Sequence, residues 1–522
     1  MRTGVTTHFS QGWPPRLMAS AAALGTATIR DSLHWAQIER QPGQYAFTEQ
    51  NSGHVARACQ AGMTVLLGIE PRNRIYDGGA TAYTPATRAA FANYIGTIAD
   101  RWPKCVVAIE IGNEINGQNG ITGPAAKDRI TAHVALLKSV RDTVKPRHPH
   151  LLLIGGSTNT IGTGFLTRLF RAGMLAQVDA VAVHPYRPDP EGVEWEIARV
   201  QSAMAQAGAV KPIWATEFSR EFPDPAAASA FYLKMIALLE GAGVNDHFWY
   251  ALVDQSFYPT MGLLKLDGTR KPAAAAYDFA AQTLAPLGPA RRIDQHDPAL
   301  FHFRFGADTH VVWGGRRTLA VSGNGARFFA ADGRTAARPA VVSDTPVVIT
   351  GAADIRFGVG EVLADSLYGF ARAPLGWFAQ TQSGSLVPLS PVDWAWTTYL
   401  GNPALPQVAV NRAGIGTTAM AGTLVRYTAT ADGPVVASVC LRPGSAGARA
   451  SAALRRNGAP LWSAPAGDPV GKAGGRTLGS AAVTVRSGDT IDFVLSPLPG
   501  QPGSRFRYRF RVARSAADAA GC

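Results

Sequence analysis

Eight short runs rich in β-branched residues divide the first part of the chain into repeating units. They lie at residues 2–9, 27–33, 64–70, 106–113, 151–157, 180–186, 212–218 and 247–253. Between them the chain is Ala-rich, and in residues 85–102 apolar side chains recur three and four positions apart, which predicts a helix. Eight strand-then-helix units in about 280 residues predict an α/β fold, the closed (β/α)8 or TIM barrel. An open doubly wound sheet is the alternative, but no Gly-rich turn follows the first run.

After residue 282 the helical periodicity ends and short alternating runs such as "ALFHFRF" and "TPVVITG" follow, separated by turn residues. We therefore expect four regions along the chain. A catalytic barrel spans residues 1–282, a small β domain 283–352, a β-sandwich similar to carbohydrate-binding modules 353–516, and a tail 517–522.

The chain has 522 residues and a formal net charge of +13. By count, residues 283–522 hold 24 Lys and Arg against 14 Asp and Glu, so the positive excess lies mostly in the C-terminal half. These basic residues stand singly within strands and form no recognition motif, so we expect solvated strand faces and no nucleic acid. We instead consider an anionic polysaccharide as a partner, because the long-range positive field of the protein would concentrate such a polymer near its surface.

The sequence has no apolar run of the roughly 20 residues needed to cross a bilayer, and residues 1–20 lack the pattern of a signal peptide. No membrane partner is expected. Four cysteines lie far apart without paired spacing, which suggests neither a zinc site nor a disulfide framework. The oligomeric state is left open.

Polar and aromatic side chains are concentrated where the predicted strands end. In a barrel of this type the active site lies at the carboxyl ends of the strands, because the βα loops meet there. From strands 1 to 8 in turn, those ends supply His8; Arg30, His34 and Trp35; Glu70; Asn113 and Glu114; Ser157 and Asn159; His184 and Tyr186; Glu217; and Trp249.

Two of these residues, Glu114 and Glu217, are carboxylates that face each other from strands 4 and 7. Burying such a pair without a metal is costly unless proton chemistry requires it. Mutual repulsion and burial would raise the pKa of one carboxyl group, while Arg30 would keep the other ionised. Environments that differ in this way make one group a general acid and the other a nucleophile.

Two motifs, "IEIGNEIN" (109–116) and "IWATEFS" (213–219), resemble those of the clan A glycoside hydrolases, nearest to family 39-like enzymes with C-terminal β domains. The resemblance implies that Glu114 is the acid/base, Asn113 contacts the sugar 2-hydroxyl, and Glu217 is the nucleophile. Three further segments match: "IRDSLHWAQIERQPGQYAF", "VHPY" and "FWYALVDQ". They imply substrate-binding or orienting roles for Arg30, His8, His34, Trp35, His184, Tyr186 and Trp249.

The expected function is a retaining β-glycoside hydrolase that acts on a polysaccharide or oligosaccharide, with no cofactor and no metal. A secreted or periplasmic location fits that substrate class. The alternative is a catalytically weak carbohydrate-binding protein on the same barrel. A lyase that uses a Schiff base is a third option, but no predicted strand ends in Lys.

Purely structural roles stay open for several of these residues. His184 could be a core histidine and Glu70 a loop charge. Among the aromatic residues of the last domain, Trp377, Trp394, Trp396 and Tyr399 could form a sugar-stacking platform or a core.

Overall fold

The computed structural model describes residues 1–293, 297–466 and 475–518. Eight parallel strands close a barrel in which each strand pairs with the next and the first pairs with the eighth. The predicted (β/α)8 barrel is confirmed. The strands are β1 Arg2–Thr6, β2 Thr28–Asp31, β3 Thr64–Ile69, β4 Val106–Ile111, β5 Leu152–Asn159, β6 Ala180–His184, β7 Ile213–Phe218 and β8 Asp246–Trp249.

A helix follows each barrel strand and covers its outer face, which explains why the strands are apolar on both sides. Three of the eight helices that cover the barrel begin at a side chain that caps the first turn, namely Thr48, Thr84 and Asp128. Before Pro85, for example, the Thr84 Oγ1 accepts a hydrogen bond from the Thr87 amide. The helices are α1 Leu17–Ala23, α2 Glu49–Gln60, α3 Pro85–Arg101, α4 Arg129–Val144, α5 Thr163–Arg171, α6 Val193–Gln206, α7 Ala227–Gly241 and α8 Pro272–Phe279. No helix of the described residues is long and apolar enough to cross a membrane.

A disulfide joins Cys59, near the end of α2, to Cys105, just before β4. The two cysteines are 46 residues apart in sequence, and they come together because β3, which follows α2, pairs with β4. The cysteine spacing suggests no disulfide framework, so this single bond was not predicted from the sequence.

The region after the barrel consists of short antiparallel strands. A five-stranded sheet in the order β9-β10-β11-β15-β13 and a three-stranded sheet in the order β14-β12-β16 come first. Phe301, Phe303 and Trp313 of the larger sheet belong to the same apolar cluster as the barrel, so the sheet and the barrel share a core. The strands are β9 Arg291–Arg292, β10 Leu300–Phe305, β11 Thr309–Gly314, β12 Arg317–Ser322, β13 Arg327–Phe329, β14 Val341–Val342, β15 Val347–Thr350 and β16 Asp354–Phe357.

Two larger antiparallel sheets follow, as the sequence predicts, and one apolar cluster contains side chains of both. Their strand orders are β17-β29-β24-β27, with β22 beside β29, and β19-β18-β23-β28-β25-β26; β20 and β21 form a separate hairpin. The strands are β17 Val362–Asp365, β18 Leu375–Thr381, β19 Leu386–Pro388, β20 Ser390–Asp393, β21 Thr398–Gly401, β22 Gly414–Gly416, β23 Ala421–Thr428, β24 Gly433–Pro443, β25 Ala450–Arg456, β26 Ala459–Ala466, β27 Thr477–Val485, β28 Thr490–Ser496 and β29 Arg505–Ala513.

The boundaries predicted at residues 282, 352 and 516 remain predictions. Residues 519–522 of the predicted tail lie outside the described residues.

Candidate active site

The chain turns sharply after β4, and this turn positions Glu114 over the barrel. Gly112 has a φ of +84° and Glu114 a φ of 46°, both in the left-handed region. A Cβ at Gly112 would also lie 2.8 Å from the Ile115 side chain. Both the backbone conformation and the lack of space therefore favour glycine at this position. The Glu114 side chain is 32% exposed, whereas that of Glu217, on β7, is 9% exposed.

His184, at the end of β6, lies among three carboxylates. Its Nδ1 is 3.4 Å from Glu114 Oε1 and 3.5 Å from Glu217 Oε2, and its Nε2 is 3.4 Å from Glu110 Oε1. One carboxylate oxygen of Glu114, one of Glu217 and a ring nitrogen of His184 all lie within 4.8 Å of one another. The two glutamates predicted from the sequence therefore meet across the barrel, with a histidine beside both.

Arg30, on β2, connects three of these residues through its guanidinium group. Its Nε donates to Glu110 Oε2 at 2.7 Å, its Nη1 donates to Glu217 Oε1, and its Nη2 donates to Asn113 Oδ1 at 3.0 Å. A Cβ at Gly68 would lie 3.2 Å from Arg30 Nη2, so the absence of a side chain there leaves room for the guanidinium.

Glu110 lies inside β4 and is completely buried. It accepts hydrogen bonds from Ser157 Oγ at 2.6 Å and Thr216 Oγ1 at 3.0 Å, in addition to that from Arg30. Burial raises the pKa of Glu110, but Arg30 and His184 outweigh it and hold the pKa well below its ordinary value. Glu110 lies within a strand and not at its end, so it is not among the residues predicted above; its signal in the sequence is an acidic residue within the apolar run "VVAIEI".

Tyr186 donates its hydroxyl to Glu217 Oε2 at 2.5 Å, so hydrogen bonds hold both oxygens of Glu217. The Tyr186 ring lies edge-on to Tyr250, with centroids 5.8 Å apart, and Tyr250 in turn packs against His8 at 5.5 Å. His8 Nε2 lies 3.1 Å from Gln255 Nε2.

The two indoles predicted to stack on sugar rings are buried. Trp249 is 0% exposed and donates its N–H to the Met261 carbonyl at 3.0 Å; Trp35 is 1% exposed and stacks between Tyr76 and Tyr94. Both therefore pack beneath the site. Tyr250, one residue after Trp249, is half-buried and packs edge-on against Tyr186, the residue that binds Glu217.

A cavity of about 200 Å³ opens on the strand 1 to strand 3 side of this centre. Of the predicted residues, His8, Arg30, His34, Glu70, Asn113 and Glu217 line it. Glu70 forms an ion pair with Arg72 at 2.7 Å and is half exposed, as a loop charge would be. Asp31, which the sequence analysis did not select, also lines the cavity and accepts hydrogen bonds from the Thr7 hydroxyl and the Phe9 amide.

Protonation at the centre differs from the expectation of one raised carboxyl pKa. Burial raises the pKa of Glu114, but His184 and Arg30 lower it, and the net pKa is below the ordinary value. Burial lowers the pKa of His184, but Glu217, Glu110 and Glu114 outweigh it and raise the pKa to about 9. In the free protein the proton near neutral pH therefore resides on the imidazole, 3.4 Å from Glu114.

The arrangement of Glu114, His184 and Glu217 could also surround a metal ion. However, the imidazole is protonated near neutral pH and the Arg30 guanidinium already binds Glu217. A cation at this position would have to displace a proton and lie beside a positive charge. The donor set therefore fits proton transfer better than metal binding.

A hairpin of the C-terminal region, formed by β20 and β21, reaches the barrel rim. Asn116 Nδ2 donates to the Ala395 carbonyl at 2.8 Å, and the Gly164 amide donates to the Trp394 carbonyl at 3.0 Å. A Cβ at Gly117 would lie 3.4 Å from the Trp396 ring, so this indole lies against Gly117. Gly117 is three residues after Glu114.

The other aromatic residues of the predicted platform differ in their surroundings. Trp394 is 54% exposed, whereas Trp377 is buried in the sheet core and donates to the Tyr508 hydroxyl at 3.1 Å. Tyr399 is half-buried on β21.

Comparisons with known proteins give the following. Residues 84–277 match the family model described as the glycosyl hydrolase catalytic core. A family 39 glycoside hydrolase from the gut symbiont Bacteroides cellulosilyticus WH2 is 19% identical over 67% of this chain and 80% of that chain, with a TM-score of 0.56. A family 39 β-xylosidase from Caulobacter crescentus is 16% identical over 67% of this chain and 95% of that chain, with a TM-score of 0.49.

No curated protein matches the chain. The likeness to the Bacteroides structure shows a shared fold. The segment that matches the catalytic core contains Glu114, His184 and Glu217. Both findings agree with the predicted resemblance to clan A glycoside hydrolases: residues 84–277 match the glycosyl hydrolase catalytic core, and a family 39 structure shares the fold.

Proposed function

We propose that the protein is a retaining β-glycoside hydrolase that acts on a polysaccharide or oligosaccharide by double displacement. The observation that supports it most strongly is the approach of Glu114 and Glu217, whose nearest carboxylate oxygens lie within 4.8 Å. Retaining glycosidases hold their two carboxyl groups about 5–5.5 Å apart, while inverting enzymes leave about 6.5–9.5 Å for a water molecule.

Glu217 is the nucleophile in this scheme. The hydrogen bonds from Arg30 and Tyr186 fix both of its oxygens, so the carboxylate is oriented before the sugar arrives. One oxygen attacks the anomeric carbon as the bond to the leaving oxygen breaks, which forms a glycosyl ester on Glu217.

Glu114 supplies the proton to the leaving oxygen and later removes one from the attacking water. Because the proton of the free protein lies on His184, transfer from Nδ1 to Glu114 Oε1, 3.4 Å away, precedes or accompanies departure of the leaving group. The water that releases the sugar returns its proton to Glu114, and the His184–Glu114 pair recovers its starting state.

Asn113 contacts the 2-hydroxyl of the sugar in the glycone subsite. Its Oδ1 accepts from Arg30 Nη2, so its amide NH₂ is directed away from the arginine and is free to donate. His8 and His34 line the same cavity and contact other hydroxyls, and Tyr250 replaces Trp249 as the stacking surface.

The second candidate, a carbohydrate-binding protein without activity, is less well supported. A binding site alone has no need for the buried Arg30 and His184 that compensate the charge of the catalytic pair, or for the buried Glu110 that holds both cations in place. Such a network is expected where protonation states must be controlled.

A panel of aryl β-glycosides and oligosaccharides tests the proposal with three proteins: wild type, Glu217→Gln and Glu221→Gln. Glu221 is exposed four residues after Glu217 and serves as the matched control. We expect release from at least one sugar by wild type and Glu221→Gln, and none by Glu217→Gln. Binding of a sugar without hydrolysis across the whole panel would favour the binding protein instead.

A further inference from the structure

Two adjoining cavities, of about 120 and 310 Å³, separate the barrel rim from the C-terminal sheets. They share four lining residues, Pro188, Asp189, Arg412 and Ala413. The smaller cavity is also lined by Tyr186, which binds Glu217. A continuous surface therefore leads from the nucleophile to the larger cavity, which we call the junction cavity.

Arginine side chains predominate among the charged residues that line the junction cavity. Five arginines line it, against the single carboxyl group of Asp189: Arg220, Arg412, Arg442, Arg507 and Arg509. Burial and the nearby Glu191 raise the pKa of Asp189. Arg509 is balanced by Asp365, 2.9 Å away.

Arg412 is the deepest member of the cluster, with 9% of its surface exposed. Its Nη1 donates to the Leu367 carbonyl, but its buried Nε has no hydrogen-bond partner among the described residues. The nearby carboxylates also face other cations: Glu194 lies 3.7 Å from Arg372 and 3.8 Å from Arg292, Glu191 pairs with Lys234 at 2.8 Å, and Glu196 pairs with Arg187 at 3.3 Å.

Arg220 repeats this pattern three residues after Glu217. Its guanidinium lies over the Phe222 and Phe231 rings at 4.9 and 5.4 Å, and its buried Nε lacks a hydrogen-bond partner within the described ranges. Burial lowers the pKa of Arg220 and the neighbouring Arg507 lowers it further, whereas Asp189 raises it. Like charges held together in this way are costly unless an anion binds between them.

The junction cavity also lies on a defined side of the catalytic pair. The cavity with His8, Arg30 and Gly68 lies at strands 1 to 3, whereas the junction side is lined from the loops after strands 5 to 7 by Thr160, Tyr186 and Arg220. With the glycone in the first cavity, the leaving group extends past Glu114 toward the second.

We propose that the junction cavity binds carboxylate or sulfate groups of an acidic glycan on the leaving-group side of the cleft. The assignment of that side rests on the proposed function; the binding of the anion does not. Arginine suits both groups because its planar fork donates two parallel hydrogen bonds.

Binding without turnover provides the test. Glu217→Gln protein is titrated calorimetrically with oligogalacturonate, a sulfated oligosaccharide and a neutral oligosaccharide of matched length. In the same background, Arg220→Ala and Arg507→Ala are compared with Arg356→Ala, whose side chain is 82% exposed and paired with Asp354 on its own strand. Thermal unfolding of each variant checks that the fold is intact.

We expect one or both acidic ligands to bind at least about tenfold more weakly to Arg220→Ala and Arg507→Ala than to Arg356→Ala, with affinity falling as salt rises. The neutral ligand should not distinguish the variants. Equal affinity for acidic and neutral ligands, or equal affinity of all three variants, would overturn the proposal. Such a result would leave hydrolysis of neutral glycosides untouched, whereas an inactive protein that still bound acidic glycans would overturn only the hydrolase proposal.

Discussion

In the barrel centre, Arg30 and His184 contact Glu110, Glu114 and Glu217, so each buried charge has opposite charges within 3.5 Å. In the junction cavity, by contrast, the buried Nε atoms of Arg220 and Arg412 have no hydrogen-bond partner among the described residues. In the barrel centre, the buried charges face opposite charges without a ligand, and their arrangement determines which side chain holds the proton. The arrangement in the junction cavity is incomplete by itself, which is typical of a surface built to receive an opposite charge. Substitutions should therefore act differently in the two regions.

The largest effect is expected from Glu114→Gln in the centre. Without the acid, kcat/KM for a glycoside with a sugar leaving group should fall by about 10²- to 10⁴-fold, because general acid catalysis contributes that much. A dinitrophenyl glycoside, whose leaving group needs no proton, should lose far less in the glycosylation step. Equal losses on both substrates in pre-steady-state kinetics would show that Glu114 is not the acid.

Glu110→Gln should be the most destabilising change in the centre. Removing one partner of a buried ion pair leaves Arg30 partly uncompensated and costs about 3–5 kcal/mol of unfolding free energy. Glu49→Gln is the control, because the Glu49 side chain is 77% exposed and its pair with Arg57 lies at the surface. Urea denaturation that found the two variants equally stable would contradict the compensated network.

His184 should make stability depend on pH. Because its folded pKa is raised from 6.5 to about 9, its stabilisation is full below pH 6.5 and is lost as the pH rises through about 9. The loss amounts to at most about 3 kcal/mol. Unfolding free energies at pH 6 and pH 9.5 should therefore differ more in wild type than in His184→Gln; parallel behaviour of the two proteins would rule out a buried imidazolium.

The smallest effect is expected on the rim. Trp396→Ala should raise KM for an oligosaccharide about three- to tenfold, because one aromatic stacking surface is lost beside Gly117, three residues after Glu114, and should leave kcat for an aryl glycoside unchanged. Tyr399→Ala, farther along the same hairpin, is the control. If both substitutions had the same effect, the hairpin would have a structural role and Trp396 would not be a sugar-stacking residue.

The catalytic pair could be predicted from the sequence because both residues lie at or just after the end of a strand. Glu114 and Glu217 are 103 positions apart, yet each follows or ends a buried strand, and the barrel brings such positions together. Glu110 was missed because an inward-facing charge inside a strand is recognisable only when its partners on other strands are known. The direction in which the Glu114 pKa is shifted depends on His184. The position of His184 relative to three carboxylates cannot be inferred from the spacing of residues in the sequence.

Aromatic roles and inter-domain contacts were harder to predict for the same reason. Trp249 and Tyr250 are adjacent, and the bend of the chain after β8 decides which ring faces the site. The Cys59–Cys105 bond joins segments that meet once neighbouring barrel strands pair, and the junction arginines come together only when the barrel packs against the C-terminal sheets.

The central claim is tested most directly by mass-spectrometric mapping of a trapped intermediate. The protein is incubated with the 2-deoxy-2-fluoro β-glycosyl fluoride of whichever sugar the panel identifies, then digested and sequenced. A glycosyl label on the Glu217 side chain is the predicted result. A label on another residue, or turnover that yields an α-configured sugar and no label, would contradict double displacement between Glu114 and Glu217.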